Sequence, residues 1–191
     1  MGDVIVMIRF TERDLKIKEF LKDVVVADTE TIHKIFFPNA SLRTCQARLK
    51  LLVDYKFIKC YRADILSQNV YYLNKKPSSY KHKIVFSQLL GKLTDQGIEI
   101  LKYVTPLKVG NVIADGFIAV KVNGEPKIYF VEVELTKYFD LNKYLDLWYS
   151  RKYKEKFPIM PSILVITDKS VKTDNKLNIK VCKLDLSDLK L

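Results

Sequence analysis

Three carboxylates in the second half of the sequence have types and spacing that could do chemistry together: Asp115, Glu132 and Glu134. Glu132 and Glu134 are two residues apart, so in a β-strand their side chains project from the same face. Carboxylate oxygens are the ligands that divalent cations such as Mg²⁺ prefer. Three negative charges on one sheet face repel one another, and the arrangement is costly unless a cation or a basic side chain compensates them.

The surrounding pattern predicts a β-hairpin that would position these carboxylates. Residues 112–122 and 127–134 are rich in Val, Ile, Phe and Tyr, which favour strands. The Asn123-Gly124 pair between them favours a tight turn, because both residues tolerate positive φ. When this hairpin closes, Asp115 on the first strand comes to lie beside the two glutamates of the second strand. A segment with helical periodicity follows immediately.

Four short motifs in this region carry a resemblance to known proteins. They are Asp115-Gly116, Glu132-Val133-Glu134, Thr136 and Lys143-Tyr144. An Asp on one strand, then Glu-x-(Asp/Glu/Lys) on the next strand and a following helix, resembles the core of the PD-(D/E)XK nucleases. In its whole order, the chain resembles more closely the replication-relaxation family of bacterial plasmid and mobile-element proteins. That family combines an N-terminal winged helix with a nuclease-like domain.

The resemblance implies specific roles for the acidic residues. In an active nuclease of this class, Asp115 and Glu132 would bind Mg²⁺ or Mn²⁺, and a lysine would orient water or stabilise charge. Glu134 occupies the lysine position here, so the catalytic set would be the three acids with Lys143 from the following helix. In the alternative, the site is inactive and needs no cofactor, and the glutamates pair with Lys143 or Arg151 to hold the helix on the sheet. The missing lysine favours this alternative.

The first part of the chain has the element order of a winged helix-turn-helix domain. Helical periodicity and N-capping residues predict three helices, which begin after Thr11, after Asp28 or Thr29, and after Ser41. The predicted strands cover 4–10, 57–62 and 69–74. In such a domain the third helix enters the major groove of DNA, and the hairpin forms a wing that reaches the backbone or the minor groove.

The predicted third helix has one apolar face and one polar, basic face. The candidate DNA contacts are Arg43, Thr44, Gln46, Ala47, Arg48 and Lys50 on this helix, with Lys59, Arg62 and Gln68 in the wing. Arginine and glutamine side chains donate hydrogen bonds to base edges and phosphates. A basic face that is merely solvated is the alternative. The order of three helices and a hairpin favours DNA contact.

For the rest of the chain the pattern predicts a second, nuclease-like domain. Its predicted elements are a helix from 85, a strand at 98–104, the hairpin, a helix at 139–154 and strands at 162–167 and 178–184. This α-β-β-β-α-β order is the one that the PD-(D/E)XK fold uses. We therefore predict a mixed α/β (α+β) protein with a winged helix at 1–76, a basic linker at 77–84 and a nuclease-like domain at 85–191.

The net charge indicates a polyanionic partner. The 191-residue chain has a formal charge of +11. Residues 1–84 hold 16 lysines and arginines against 9 acids, and residues 85–191 hold 17 against 13. Double-stranded DNA is the first candidate partner and an anionic membrane surface the second. The larger excess lies in the shorter half, so DNA contact is expected mainly there.

The composition disfavours several other classes of site. Three cysteines without C-x-x-C spacing indicate reduced, packing residues in a cytoplasmic protein. Two histidines are too few for a histidine-cluster metal centre, and the scattered glycines form no phosphate-binding loop. No apolar run approaches the roughly 20 residues that a membrane span needs, so no membrane association is predicted.

Two functions of different classes remain after these exclusions. The first is a DNA-binding accessory protein of a plasmid or mobile element, which serves replication, relaxation or transfer and has an inactive nuclease-like domain. The second is a metal-dependent DNA endonuclease that its winged helix targets to duplex DNA. A transcriptional repressor is a weaker alternative. Candidate partners besides DNA are replication or transfer proteins of the same element and a second copy of the chain.

Overall fold

The computed structural model of the protein describes residues 9–62, 67–76 and 80–191. Within these ranges the chain has five α-helices, a five-stranded mixed sheet and two smaller antiparallel sheets. The predicted mixed α/β (α+β) class is confirmed. The predicted strand at 4–10 lies almost entirely outside the described residues. None of the helices in the described ranges has the length and apolar character to cross a membrane.

Three helices make up most of the first part. They are α1 (Glu12–Val24), α2 (Thr29–Phe36) and α3 (Leu42–Asp54). Before them, Thr11, Asp28 and Ser41 each accept a backbone N–H of the first turn, as predicted. Ser, Thr and Asp suit these positions because their side-chain oxygens satisfy the donors that the helix leaves free. At α1 the exchange is reciprocal, since the Asp14 carboxylate also accepts the Thr11 N–H at 2.7 Å.

A small antiparallel sheet packs with these helices. Its strands are β1 (Ala27–Asp28), β2 (Lys59–Tyr61) and β3 (Val70–Tyr72), in the spatial order β1-β3-β2. β2 and β3 form the hairpin predicted over 57–62 and 69–74, although each strand is shorter than predicted. β1 leaves no signal in the sequence because two residues are too few to show alternation. It pairs with β3 and so ties the hairpin to the start of α2.

The second part is built around the five-stranded sheet. Its elements are α4 (Tyr80–Asp95), β4 (Glu99–Val104), β5 (Leu107–Val109), β6 (Val112–Ala114), β7 (Gly116–Val122), β8 (Glu125–Val133), α5 (Leu141–Ser150), β9 (Ser162–Ile166) and β10 (Ile179–Cys182). The sheet order is β10-β9-β8-β7-β4, and β5 pairs with β6 in a separate hairpin. The β4, β7 and β8 strands are antiparallel, whereas β9 and β10 continue the sheet in parallel with β8.

Helices cover both faces of this sheet, and the alternation of side chains along β8 decides which residues meet which helix. The β8 residues in the core with α4 are Tyr129, Val131 and Val133. Phe130 points the other way, into a second core that contains Tyr144 and Leu147 of α5. Glu132 has the same parity as Phe130. The sheet therefore delivers Glu132 to the face that α5 covers.

Two turns fix the hairpin and the end of α5. Asn123 and Gly124 have φ values of 52° and 84°, so the predicted tight turn between β7 and β8 is confirmed. The helix predicted over 139–154 is shorter, because Arg151 takes a left-handed conformation with φ 56° and ends α5 at Ser150. A single 3₁₀ turn, Lys152–Glu155, follows it. The basic run at the end of the predicted helix is thus a separate turn.

The structure also differs from the predicted linker at 77–84. Helix α4 begins at Tyr80, so residues 80–84 are helical, while 77–79 lie outside the described residues. The first turn of α4 is partly exposed and rich in lysine. A helix turn of this kind has no apolar stripe, and its period is therefore invisible in the sequence.

One hydrophobic core crosses the predicted boundary between the halves. Ile32 of α2, Leu89 of α4 and Val131 of β8 belong to the same buried cluster. The Gln88 side chain of α4 also donates from Nε2 to the buried Asp28 carboxylate at 2.7 Å. Asp28 caps α2 as well, so this contact joins α4 to the helical part. The two halves therefore pack together through α4.

Candidate functional site

Asp115 lies in a short break between β6 and β7, and backbone and side-chain contacts hold it there. Its Oδ2 accepts the Val133 N–H at 2.8 Å, and His82 Nδ1 of α4 lies 3.3 Å from the same oxygen. Its backbone oxygen accepts the Thr105 hydroxyl at 2.7 Å. The break explains why the predicted strand at 112–122 is two strands, with β6 turned away to pair with β5.

The glycine of the Asp115-Gly116 motif has a steric role. A Cβ atom on Gly116 would lie 2.0 Å from a ring carbon of Phe86, which is buried in α4. No real Cβ contact is that short, so only glycine fits between β7 and the ring. Close packing of α4 on the sheet thus depends on the residue next to Asp115.

Glu132 is buried at the centre of the site, with only 3% of its surface exposed. Its Oε1 accepts from Lys143 Nζ at 2.9 Å and from the Tyr144 hydroxyl. Both donors lie on α5, so the pair attaches this helix to the sheet. Burial raises the pKa of Glu132 above its usual range, and the Lys143 charge only partly offsets this effect. Burial and the Glu132 charge together raise the pKa of Tyr144 well above the usual range for tyrosine.

Glu134 follows β8 and is partly buried. Its backbone N–H donates to the Ile166 oxygen at 3.0 Å, which extends the pairing with β9 by one step. Burial raises the pKa of Glu134; the Lys143 charge opposes this, and the Asp115 charge adds to it. Glu134 therefore shares its electrostatic environment with the other two acids.

The predicted cluster of Asp115, Glu132 and Glu134 beside Lys143 is divided between two helices: the Asp115 carboxylate contacts His82 of α4, whereas Glu132 contacts Lys143 and Tyr144 of α5. The Asp115 charge raises the pKa of both glutamates, and the Lys143 charge lowers both. Lys143 lies in contact with Glu132, whereas Arg151, the other predicted partner, is exposed beyond the end of α5.

Protein groups occupy one oxygen of each of two acids at this site. Glu132 Oε1 lies against Lys143 and Tyr144, and Asp115 Oδ2 lies against the Val133 N–H and His82. In the part of the chain that the structure describes, no group of three or more His, Cys, Asp or Glu side chains is arranged to hold a metal ion. Lys143 supplies the compensating positive charge within the protein.

The Lys143→Met variant is expected to lose about 2 kcal/mol of folding free energy at neutral pH, since it removes a hydrogen bond to a buried carboxylate. A raised Glu132 pKa means that the folded state binds a proton more tightly than the unfolded state, so stability falls as pH rises through the interval between the two pKa values. Removing Lys143 raises that pKa further. The loss of folding free energy in Lys143→Met relative to wild type should therefore be smallest in acid and grow towards neutral pH.

Urea unfolding of wild type and Lys143→Met in acidic and neutral buffers measures this dependence. Lys102→Met is the matched control, because Lys102 is exposed on β4 and is not among the charges that act on Glu132 or Glu134. It should behave like wild type at both pH values. An equal deficit at both pH values would show that Lys143 does not act through Glu132.

The α3 helix presents the polar face predicted for it. Cys45, Leu49 and Leu52 are buried, and they place the opposite side of α3 in solvent. The exposed candidate contacts on this side are Arg43, Thr44, Gln46, Ala47 and Lys50. The Thr44 hydroxyl lies 2.9 Å from the Ser41 hydroxyl at the N-cap, so it is engaged at the start of the helix.

Arg48 has a structural role instead of the predicted DNA contact. Its guanidinium forms a two-pronged pair with the fully buried carboxylate of Asp14, with Nε 3.0 Å from Oδ1. It also donates to the Arg9 backbone oxygen at 3.0 Å. Burial opposes ionisation of Asp14, but hydrogen bonds from Arg48 and Thr11 outweigh it and hold the pKa of Asp14 below its usual range. This pair fastens α3 to α1.

The candidate wing residues are exposed and also hold the hairpin. Lys59 donates to the Asn74 oxygen at 2.7 Å, and Arg62 Nε donates to the Ser67 oxygen at 2.8 Å. The Gln68 amide lies 3.5 Å from a carboxylate oxygen of Glu30 on α2. Of the predicted wing tip at 63–68, residues 63–66 lie outside the described residues.

A surface groove of about 830 Å³ connects α3 with the wing. Leu42 and Gln46 of α3 line it together with Arg62 and Gln68 of the hairpin, and the acids Glu30 and Asp95 line it as well. The helix and the hairpin therefore border a common concave surface. Side chains from both can approach one extended ligand.

Two residues that take part in these sites, His82 and Asp14, were not among the predicted site residues. His82 approaches Asp115 only because α4 begins at Tyr80, which the lysine-rich segment conceals. Asp14 was visible only as an early acid in α1, and its partner Arg48 is 34 residues away. A buried acid within an otherwise apolar helix face is the pattern that points to such a pair.

Comparisons with known proteins add no relative. No protein-family model, curated protein or solved structure matches this chain. The function of the protein is therefore inferred from the geometry and charges of the residues described above.

Proposed function

We propose that this protein is a DNA-binding accessory protein of a plasmid or mobile element. Its first part acts as a winged helix-turn-helix, with α3 in the major groove and the β2–β3 hairpin as the wing. Its second part has a nuclease-like architecture without nuclease activity. The process that it serves is replication, relaxation or transfer of the element, as the resemblance of its motifs implies.

The observation that carries this proposal is the exposed face of α3. Arg43, Gln46 and Lys50 lie in solvent on a helix whose opposite side is fixed in the core. These side chains can donate to base edges and phosphates in a major groove. Arg48 does not contribute to this surface, because its guanidinium is committed to Asp14. The proposed DNA-contacting surface of α3 therefore contains fewer residues than the sequence alone predicts.

The wing and the groove support the same function. Lys59 and Arg62 bring positive charge to the hairpin, and their backbone contacts limit how far they can move. Arg62 and Gln68 line the same groove as Gln46 of α3. A duplex seated on α3 would thus also meet the wing. The net charge of +11 favours such a polyanion.

The second part supports a role in structure and assembly. Lys143 and Tyr144 hold the Glu132 carboxylate, and α5 is thereby fixed to the sheet. We propose that this part docks replication or transfer proteins of the element or a second copy of the chain. The common core through α4 would transmit their binding to the helical part as a rigid attachment.

A metal-dependent endonuclease is the second candidate, and one observation favours it. The Asp115 charge acts on both glutamates, and the Asp115 side chain is 32% exposed, within reach of solvent. Against it stand Glu134 in the lysine position and the protein donors on the carboxylates. We therefore place it behind the accessory role.

Incubating the protein with supercoiled and linear plasmid DNA, with and without Mg²⁺ or Mn²⁺, separates the two candidates. We expect retention of the DNA in a gel without cleavage, because Lys143 and not a metal compensates the acids. Binding should weaken steeply as salt increases, since lysine and arginine contacts release counterions from phosphates. Mg²⁺-dependent nicking that Glu132→Gln abolishes would establish the endonuclease instead.

A further inference from the structure

The most exposed large apolar side chains in the described ranges include Tyr149 at the end of α5. They are Tyr138 (71%), Ile159 (64%), Tyr149 (61%) and Ile113 (60%). Tyr138 and Ile159 lie in the segments before and after α5 with its 3₁₀ turn, and Ile113 lies on β6, whose buried residues share the core of α5. Tyr149 is the one of the four that lies on α5 itself, next to the turn that follows this helix.

The turn after α5 is basic. Arg151, Lys152 and Lys154 are exposed, and within the described ranges none of them has a carboxylate partner within 4.0 Å. Lys156, by contrast, is bound to the backbone: its Nζ donates to the Lys108 oxygen at 2.8 Å. Residues 151–154 therefore carry three positive charges that have no carboxylate partner within 4.0 Å in the described ranges.

The turn is firmly attached to the core. The Arg151 N–H donates to the Trp148 oxygen, and the Lys154 N–H donates to the Arg151 oxygen at 3.0 Å. Phe157, which closes the turn, stacks on Phe117 with ring centroids 5.0 Å apart. The charges are therefore held on a fixed backbone, which lowers the entropy cost of binding a ligand.

Arg151 immediately precedes the 3₁₀ turn and Lys154 lies within it, so the two exposed cations are joined by one short, hydrogen-bonded stretch of backbone. The ring of Tyr149 lies just before them at the end of α5. Trp148 contacts the Tyr149 ring edge-on at 5.1 Å, and Lys176 Nζ is 5.7 Å from its centroid. We call Tyr149, Arg151, Lys152 and Lys154 the α5 surface.

We propose that the α5 surface binds a single strand of nucleic acid, with Arg151 and Lys154 on phosphates and an unpaired base stacked on Tyr149. Single-strand sites combine aromatic platforms with positive charge along the backbone. A duplex offers phosphates but no free base face, so it would leave the exposed Tyr149 ring unused. This site lies on a different element from α3 and does not depend on duplex binding there.

The test measures fluorescence anisotropy of a labelled oligo-dT strand and of a labelled duplex with the full chain. Tyr149→Ala should weaken binding of the strand roughly 5- to 150-fold, the range for one lost base stack. Arg151→Asn with Lys154→Gln should reduce the salt slope of strand binding by about 1.4, as expected for two lost phosphate contacts. Asparagine is chosen at 151 because it tolerates the left-handed backbone.

Lys22→Gln with Lys102→Gln is the control, because it removes two charges from exposed positions on α1 and β4. It should leave strand binding nearly unchanged. Equal loss of strand binding in the control and in the α5 surface variant would overturn the proposal, because general charge would then explain the binding. The proposal would also be overturned if the α5 surface variants kept strand binding and lost only duplex binding, or lost only binding to phosphatidylserine vesicles. Arg43→Ala should weaken duplex binding alone, so failure of the α3 assignment is detected separately.

Discussion

Arg48→Met is expected to lower the free energy of unfolding by about 3 kcal/mol, the lower end of the range for breaking a buried ion pair. The substitution leaves the Asp14 carboxylate fully buried without the guanidinium that compensates it. For a chain of 191 residues, a loss of this size lowers the melting temperature by roughly 6–12 °C. Thermal and urea unfolding followed by circular dichroism measure both quantities.

The pH dependence and a matched variant identify the mechanism. The pKa of Asp14 lies below its usual range, so the pair stabilises the fold above the usual pKa of an aspartate and loses this effect as pH falls. The difference between Arg48→Met and wild type should therefore narrow in acid. Arg43→Met changes the same residue type on the exposed side of the same helix and should stay within about 0.5 kcal/mol of wild type. Similar losses in both variants would contradict the assigned role of Arg48.

Gly116→Ala is expected to destabilise the protein by about 3 kcal/mol, at the upper end of typical overpacking costs. The added methyl group would lie 2.0 Å from the Phe86 ring, which is buried and held between α4 and the sheet. Either the ring or β7 must move, and movement of β7 would also displace Asp115. Chemical denaturation of the variant measures the cost.

A double variant tests whether the Phe86 ring is the obstacle. Phe86→Leu removes the ring atoms nearest to Gly116, so Gly116→Ala should cost less in that background than in wild type. Contacting residues show such coupling, whereas distant ones add independently. Strictly additive losses in the double variant would mean that the glycine is required for another reason.

The helices of the first part could be predicted because their signals are local. Thr11, Asp28 and Ser41 cap the helices within three residues of where each helix begins, and the apolar stripe of α3 repeats within a single helix. The turn at Asn123-Gly124 is equally local, since both residues adopt positive φ as their types favour. Each feature depends on a few adjacent residues.

The features that the sequence did not predict depend on distant contacts. The Asp14–Arg48 pair spans 34 residues. Arg48, which the sequence suggested as a DNA contact, attaches α3 to α1 through this pair. The start of α4 at Tyr80 is hidden because its first turn is lysine-rich. The common core through α4 also arises only when the two halves meet. None of these leaves a periodic pattern in one segment.

The acidic site was predicted in part. Strand alternation was sufficient to place Glu132 and Glu134 near Asp115, and the motif order brought Lys143 into the same set. The part played by Tyr144 was not predicted, because tyrosine on an apolar helix face is typical of packing. The break at Asp115, which turns β6 away from the sheet, has no sequence signal besides the following glycine.

The most direct test of the account is the affinity of one labelled duplex for three proteins, measured by fluorescence anisotropy over a range of salt concentrations. The proteins are wild type, the double variant Arg43→Ala/Lys50→Ala and the control Lys22→Ala/Lys102→Ala. We predict that the α3 variant binds at least roughly 5-fold more weakly and has a salt slope smaller by about 1 or more, whereas the control loses little. Wild-type affinity of a correctly folded Arg43→Ala/Lys50→Ala variant would contradict the assignment of α3 as the DNA-binding helix.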